Sequence, residues 1–179
     1  MASYVYVDNS NVFIEGKYVS AVDKGLALDL FDAHENRIQD NDYKLDFGKL
    51  YEFSGATKDG CANLYGSRPP PNDSLWKMAE KAGFKTIVYD RSAWTNREKK
   101  VDTAIVKDMT KDAYKRPIDR VKDEIVLIAG DADYVPVVED LVKDGFKVYV
   151  VFWDNAATEL REACTKFTSL NQYLRSLQH

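Results

Sequence analysis

Six stretches of the chain carry apolar runs of strand length, at residues 3–7, 61–65, 84–89, 124–129, 146–153 and 167–170. The clearest read EIVLIA (124–129) and FKVYVVFW (146–153). These are continuous runs rather than strict alternations, which predicts strands covered on both faces. Helical periodicity fills the intervals. Residues 46–53 gather Phe47, Leu50, Tyr51 and Phe53 near one face. Residues 73–82 follow Pro69-Pro70-Pro71, carry Leu75, Trp76 and Ala79, and stop at Gly83. Residues 101–114 repeat apolar positions at Val101, Ile105 and Met109; 134–143 run from a cap at Asp133 to Gly145; 157–163 are short. Residues 12–41 predict a helix followed by a charged loop, with 32–42 too polar for a core. Strands alternating with helices over short connections predict an α/β fold, a three-layer sandwich with a mainly parallel central sheet. The length of 179 residues predicts one domain, 1–179.

Composition narrows the function classes. No run of 18 apolar residues exists, so no membrane partner is expected. The start of the chain has no basic leader ahead of an apolar stretch, which predicts a cytoplasmic protein. Two cysteines, Cys61 and Cys164, and two histidines, His34 and His179, stand apart in sequence, so neither a zinc ligand set nor a His-based triad is expected. The net charge is −4. Between Arg91 and Lys122, however, ten Lys or Arg face five Asp or Glu, one basic region on an acidic body. That region reads equally well as a solvated helix with its flanking loops.

In an open parallel sheet, chemistry gathers beyond the carboxyl ends of the strands. Strand one ends Val7-Asp8-Asn9-Ser10-Asn11, strand four ends Ala129-Gly130-Asp131-Ala132-Asp133-Tyr134, and strand five ends Trp153-Asp154-Asn155. Asp102 opens the helix predicted from Val101. Each acid has an ordinary alternative: Asp133 and Asp102 as helix-start residues, Asp131 as a turn residue. Taken together, Asp8, Asp102, Asp131 and Asp133 form an all-oxygen set. Such a set favours Mg²⁺ or Mn²⁺ and suffices for phosphodiester hydrolysis without a protein nucleophile. Competing motifs fail on single residues. Ser10 stands where a haloacid-dehalogenase-type phosphatase needs its second Asp, Val12 breaks the D-x-S-x-S of an integrin-type metal site, and no phosphate-binding Gly-rich loop occurs.

On these residues the chain resembles the NYN family, a branch of the PIN-like nucleases, and within it the LabA-like group. Val7-Asp8-Asn9-Ser10-Asn11-Val12-Phe13 resembles the opening D-x-x-N motif. The segment from Lys99 to Met109, KKVDTAIVKDM, resembles the K-x-V-D helix start. The segment from Leu127 to Pro136, LIAGDADYVP, resembles the S-G-D-x-D-F-x-P motif, and Gly145 to Val148 with Leu160-Arg161 resembles the last strand and helix. The resemblance implies a Rossmann-like PIN-type fold and a metal-dependent nuclease acting on RNA. It matches Asp8, Asp102, Asp131 and Asp133 to the family's acids, Asn11 to the polar partner of Asp8, and Asp108 to a further acid. Departures are Thr165 in place of an Asp, Ala129 in place of a Ser, and a long first connection over residues 17–42.

The expectation is thus a nuclease in which Asp8, Asn11, Asp102, Asp131 and Asp133 carry catalysis and the four acids hold Mg²⁺ or Mn²⁺. Arg97, Lys99, Lys100 and Lys107 are expected on backbone phosphates, with Trp94 or Tyr134 stacked on a base of single-stranded RNA. Related domains often pair, so a homodimer is one expected state. The alternatives are a catalytically weak RNA- or protein-binding module of the same fold, and a phosphatase of small phosphoesters.

Overall fold

The structure, a computed structural model, describes residues 1–68, 73–90 and 97–179; the side chains of 68, 90 and 97–100 stand outside that description. Six strands form one sheet: β1 (Ser3–Asp8), β2 (Cys61–Arg68), β3 (Lys85–Asp90), β4 (Glu124–Ile128), β5 (Val148–Phe152) and β6 (Lys166–Ser169). Their order is β3-β2-β1-β4-β5-β6, and every neighbouring pair is parallel. The expected parallel sheet is therefore present, and it is parallel throughout. The winding direction reverses between β1 and β4, where a crevice opens beyond the strand ends.

Side-chain alternation sends successive residues of a strand to opposite faces. In β1, Val5 and Val7 join a core with Val126, Ile128, Trp76 and Trp153, whereas Tyr4 and Tyr6 join a second core with Ile125, Leu127, Ile105, Met109 and Val138. Both faces are buried, which is why these strands read as unbroken apolar runs. The first core is covered by α1 (Asn9–Asp23), α3 (Phe47–Phe53) and α4 (Ser74–Ala82), and the second by α5 (Arg97–Lys115), α6 (Val135–Lys143) and α7 (Thr158–Ala163). A short helix, α2 (Leu30–Glu35), packs beside α1. Among the described residues, no helix is long and apolar enough to cross a membrane.

Three expectations need correction. The α5 helix begins at Arg97 rather than Val101, so Asp102 lies in its second turn and is no helix-start residue. Asp133 lies within a 3₁₀ turn, Ala132–Tyr134, and caps no helix. The segment 32–42 is not all surface: Asp40 is buried, because Lys24 pairs with it at 2.7 Å and Ser20 donates to it at 2.6 Å. A buried carboxylate is tolerable when it is paired and hydrogen-bonded in this way.

One glycine is fixed by the close approach of two backbones. A Cβ built on Gly60, just before β2, would stand 1.8 Å from the carbonyl oxygen of Ser3. Backbone in a sheet cannot yield that space locally. Gly60→Ala is expected to destabilise the fold by about 1–3 kcal/mol or more, read as a lower denaturant midpoint. A midpoint unchanged from the parent would show that β1 and β2 are free to separate there.

Candidate active site

Asp8 ends β1 and is also the cap of α1: its Oδ1 accepts the backbone N–H of Asn11 at 3.3 Å. The same residue thus starts the helix and faces the crevice. Asn11 returns across the reversal point to β4. Its Oδ1 accepts the N–H of Gly130 at 2.9 Å, and its Nδ2 donates to Asp131 Oδ1 at 3.4 Å. Gly130 is required here, since a Cβ would lie 2.1 Å from the Phe152 ring. Its carbonyl accepts the N–H of Ala157, so both of its backbone groups are engaged.

These contacts gather one carboxylate oxygen from each of Asp8, Asp102 and Asp131 within 4.8 Å of one another. The three acids come from β1, α5 and the turn after β4. Asp8 is buried, Asp102 is half-buried and Asp131 is exposed. The Tyr134 hydroxyl, wholly buried, stands 2.9 Å from both Asp8 Oδ2 and Asp102 Oδ1. The acids line a cleft of about 260 Å³ with Ser10, Asn11, Glu15 and Ser67.

Electrostatics follow from that packing. Burial first, and then the neighbouring Asp102 charge, push the Asp8 carboxyl up to about 7, against the opposing hydrogen bonds from Tyr134 and Asn11. Asp102 is raised as well, chiefly by burial and then by the charges of Asp131 and Asp133. Three hard oxygen donors that repel one another, with no imidazole or thiolate among them, suit a hard divalent cation.

The structure brings four of the five expected catalytic residues together: Asp8, Asn11, Asp102 and Asp131. Asp133 stays outside the 4.8 Å group, although its charge still reaches Asp102. Asp108 is elsewhere. It accepts the Tyr65 hydroxyl at 2.7 Å and lines a separate cavity with Lys85, Asp112 and Arg116. Lys107 is exposed on α5 and does not line the cleft. Arg97, Lys99 and Lys100 lie in the first turn of α5, but their side chains are outside the described set, as is the whole of Trp94. The base-stacking role expected of Tyr134 is excluded, because its ring is buried beneath the acids.

Glu15 was not anticipated. It lines the cleft one helical turn beyond Asn11, on the same face of α1. The D-x-x-N motif followed four residues later by Glu would have revealed it, had α1 been read as starting at Asn9. Asn155, from the end of β5, donates to Glu15 at 2.7 Å, and His34 of α2 lies 2.8 Å from it.

Comparison with known proteins gives a consistent picture. The family model described as the NYN domain matches residues 4–171. No curated protein matches the chain. The crystal structure of a protein of unknown function, VPA0982 from Vibrio parahaemolyticus RIMD 2210633, is similar with a TM-score of 0.64 and 16% identity. The match covers 94% of this chain and 92% of that one. At that identity the likeness bears on the fold.

The raised Asp8 carboxyl makes stability depend on pH. Between about pH 4 and pH 7 the native state holds a proton that the unfolded chain releases, so stability falls as pH rises through that window. In EDTA, Asp8→Asn is expected to melt at a higher temperature than the parent near pH 8, with the gap closing toward about pH 4. Thermal unfolding across that range checks it; a constant gap would mean that Asp8 is not preferentially protonated in the native state.

Proposed function

Because the chain belongs to the NYN domain family, within the PIN-like nuclease superfamily, we propose that it is a LabA-like nuclease. In this reading it hydrolyses phosphodiester bonds of single-stranded RNA with Mg²⁺ or Mn²⁺ held by Asp8, Asp102 and Asp131. The observation that carries this reading is the set of three carboxylate oxygens within 4.8 Å at the point where the sheet reverses. We take residues 1–179 as one such domain. We take its compartment to be the cytoplasm.

When bound, the cation polarises a phosphoryl oxygen and activates the attacking water. The chain's own residues set the stage for that. Asn11 fixes Asp131 relative to Asp8, and Tyr134 fixes Asp102 relative to Asp8. Asp133 takes an outer position, where its charge strengthens the attraction for the cation. Lys107, with Arg97, Lys99 and Lys100, supplies cationic groups on α5 for backbone phosphates flanking the cleft.

The test is cleavage of end-labelled single-stranded RNA and DNA in Mn²⁺, Mg²⁺ or EDTA, beside Asp8→Asn and Asp131→Asn. Metal-dependent cutting of RNA is expected, reduced at least about a hundredfold in both variants. Mn²⁺ is also expected to raise the melting temperature of the parent, by an amount equivalent to about 2.7 kcal/mol at a hundredfold excess over Kd, and to do so far less in the variants. A melting shift without cutting would favour the binding module; neither effect would remove the metal reading altogether.

A further inference from the structure

Glu15 is the fourth carboxylate that lines the cleft, and it is held unlike the other three. Its Oε1 takes both Asn155 Nδ2, at 2.7 Å, and His34 Nε2, at 2.8 Å. His34 is itself fixed by an edge-on contact with Tyr18, ring centroids 4.4 Å apart. The Glu15 side chain is 14% exposed. No hydrogen bond from a described residue reaches its Oε2, which is left for the cleft.

That pattern fixes how the carboxyl group is turned. Both N–H donors fall on Oε1, so Oε2 is the oxygen from which a proton can be given or taken. Burial first, with a contribution from the Asp131 charge, favours the neutral form; the His34 and Asn155 donors pull the other way, and the carboxyl remains above its ordinary range. The groups facing Glu15 are therefore His34 from α2, Asn155 from the end of β5, and Asp131 from the turn after β4.

Asp8, Asp102 and Asp131 account for cation binding and for activation of the water. Once a cation has displaced the proton held among them, they offer none to the departing oxygen. We propose that Glu15 is the general acid of the hydrolysis, oriented by Asn155 and His34, and that it protonates the leaving oxygen of the nucleotide ester. This rests on the nuclease reading above. In the step, water oxygen bonds to phosphorus and the phosphorus–oxygen ester bond breaks. The electron pair of that bond stays on the leaving oxygen, which takes the Oε2 proton. The water's proton goes to solvent, and the Glu15 carboxylate recovers a proton from solvent through the open cleft. Asn155 and His34 are positioning residues, since they act only through Glu15.

The test compares two substrates whose leaving groups differ in their need for a proton: an RNA oligonucleotide and the p-nitrophenyl ester of thymidine 5′-phosphate. Glu15→Gln is expected to slow RNA cleavage by about 10²- to 10⁴-fold, while the nitrophenyl ester, which leaves as a stable phenolate, slows by less than about threefold. Asn155→Ala and His34→Ala are expected to give smaller losses confined to RNA. Mn²⁺ affinity, followed by electron paramagnetic resonance on variants shown folded by their melting curves, is expected to stay within about threefold of the parent in Glu15→Gln. Equal loss on both substrates would overturn the proposal in favour of a base or a scaffold. A tenfold or larger loss of Mn²⁺ affinity would make Glu15 a ligand instead. Undiminished RNA cleavage by Glu15→Gln would overturn this proposal alone. A parent that cleaves neither substrate would overturn the nuclease reading and the proton donor with it.

Discussion

A single hydroxyl organises the acids. Tyr134 Oη stands 2.9 Å from one oxygen of Asp8 and 2.9 Å from one oxygen of Asp102, yet it has one proton to give. With both carboxylates ionised, one of those contacts would set lone pair against lone pair. The arrangement settles when one carboxyl keeps a proton or when a positive charge enters between them. The same contest holds the tyrosine in its neutral form, its phenol raised by burial first and then by the two Asp charges. Tyr134 belongs to the turn that also carries Asp131. One residue thereby joins the ends of β1 and β4 to the side of α5.

The same device recurs along α5. Tyr65 of β2 donates to Asp108 at 2.7 Å, and Tyr6 of β1 donates to Asp112 at 2.6 Å. A buried tyrosine hydroxyl needs a partner, and three sheet-side tyrosines find theirs in three acids of one helix. These bonds fix the register of α5 on the sheet. The helix can then place Asp102 at the crevice and nowhere else, while Asp108 and Asp112 serve the packing. An Asp that resembles a family acid in sequence can thus be an anchor in space.

The parts legible in the sequence were those with a one-dimensional signature. Apolar runs gave six strands because both sheet faces are covered, and Asp8 and Asp131 were visible because each follows such a run. Helix α1 was poorly visible for a physical reason. Its buried positions include Asn9, Gly16 and Ser20, so the face against the sheet is made partly of small and polar residues. Gly16 sits there because a Cβ would lie 2.8 Å from the Tyr43 ring. With the helix expected only from residue 12 and its buried face unmarked, Glu15 could not be set on the face of Asn11, and His34, exposed as its polar segment predicts, gave no sign of its pairing with Glu15. Tyr134 was misjudged because an aromatic beside acids suggests a stacking platform. Only the packing of α5 over the sheet shows that the ring is covered.

The acids cannot relieve their repulsion by moving apart. Asp8 is held at both oxygens, by the Asn11 N–H and by Tyr134. Asp131 is tied to Asn11, which is locked by its bond to the Gly130 N–H, and Gly130 is pressed against Phe152 with its carbonyl bound to Ala157. Asp102 is held through Tyr134 on a helix registered by two further tyrosine bonds. Strand β1 beneath them is buried along its whole length. Stability drawn from two apolar cores therefore sustains a charge arrangement that would otherwise fly apart. Relief is confined to charge itself, a proton at low pH or a cation at higher pH. A cleft built this way needs no rearrangement when its counter-charge arrives, which is the condition under which fixed dipoles and charges act most strongly on a reacting phosphate.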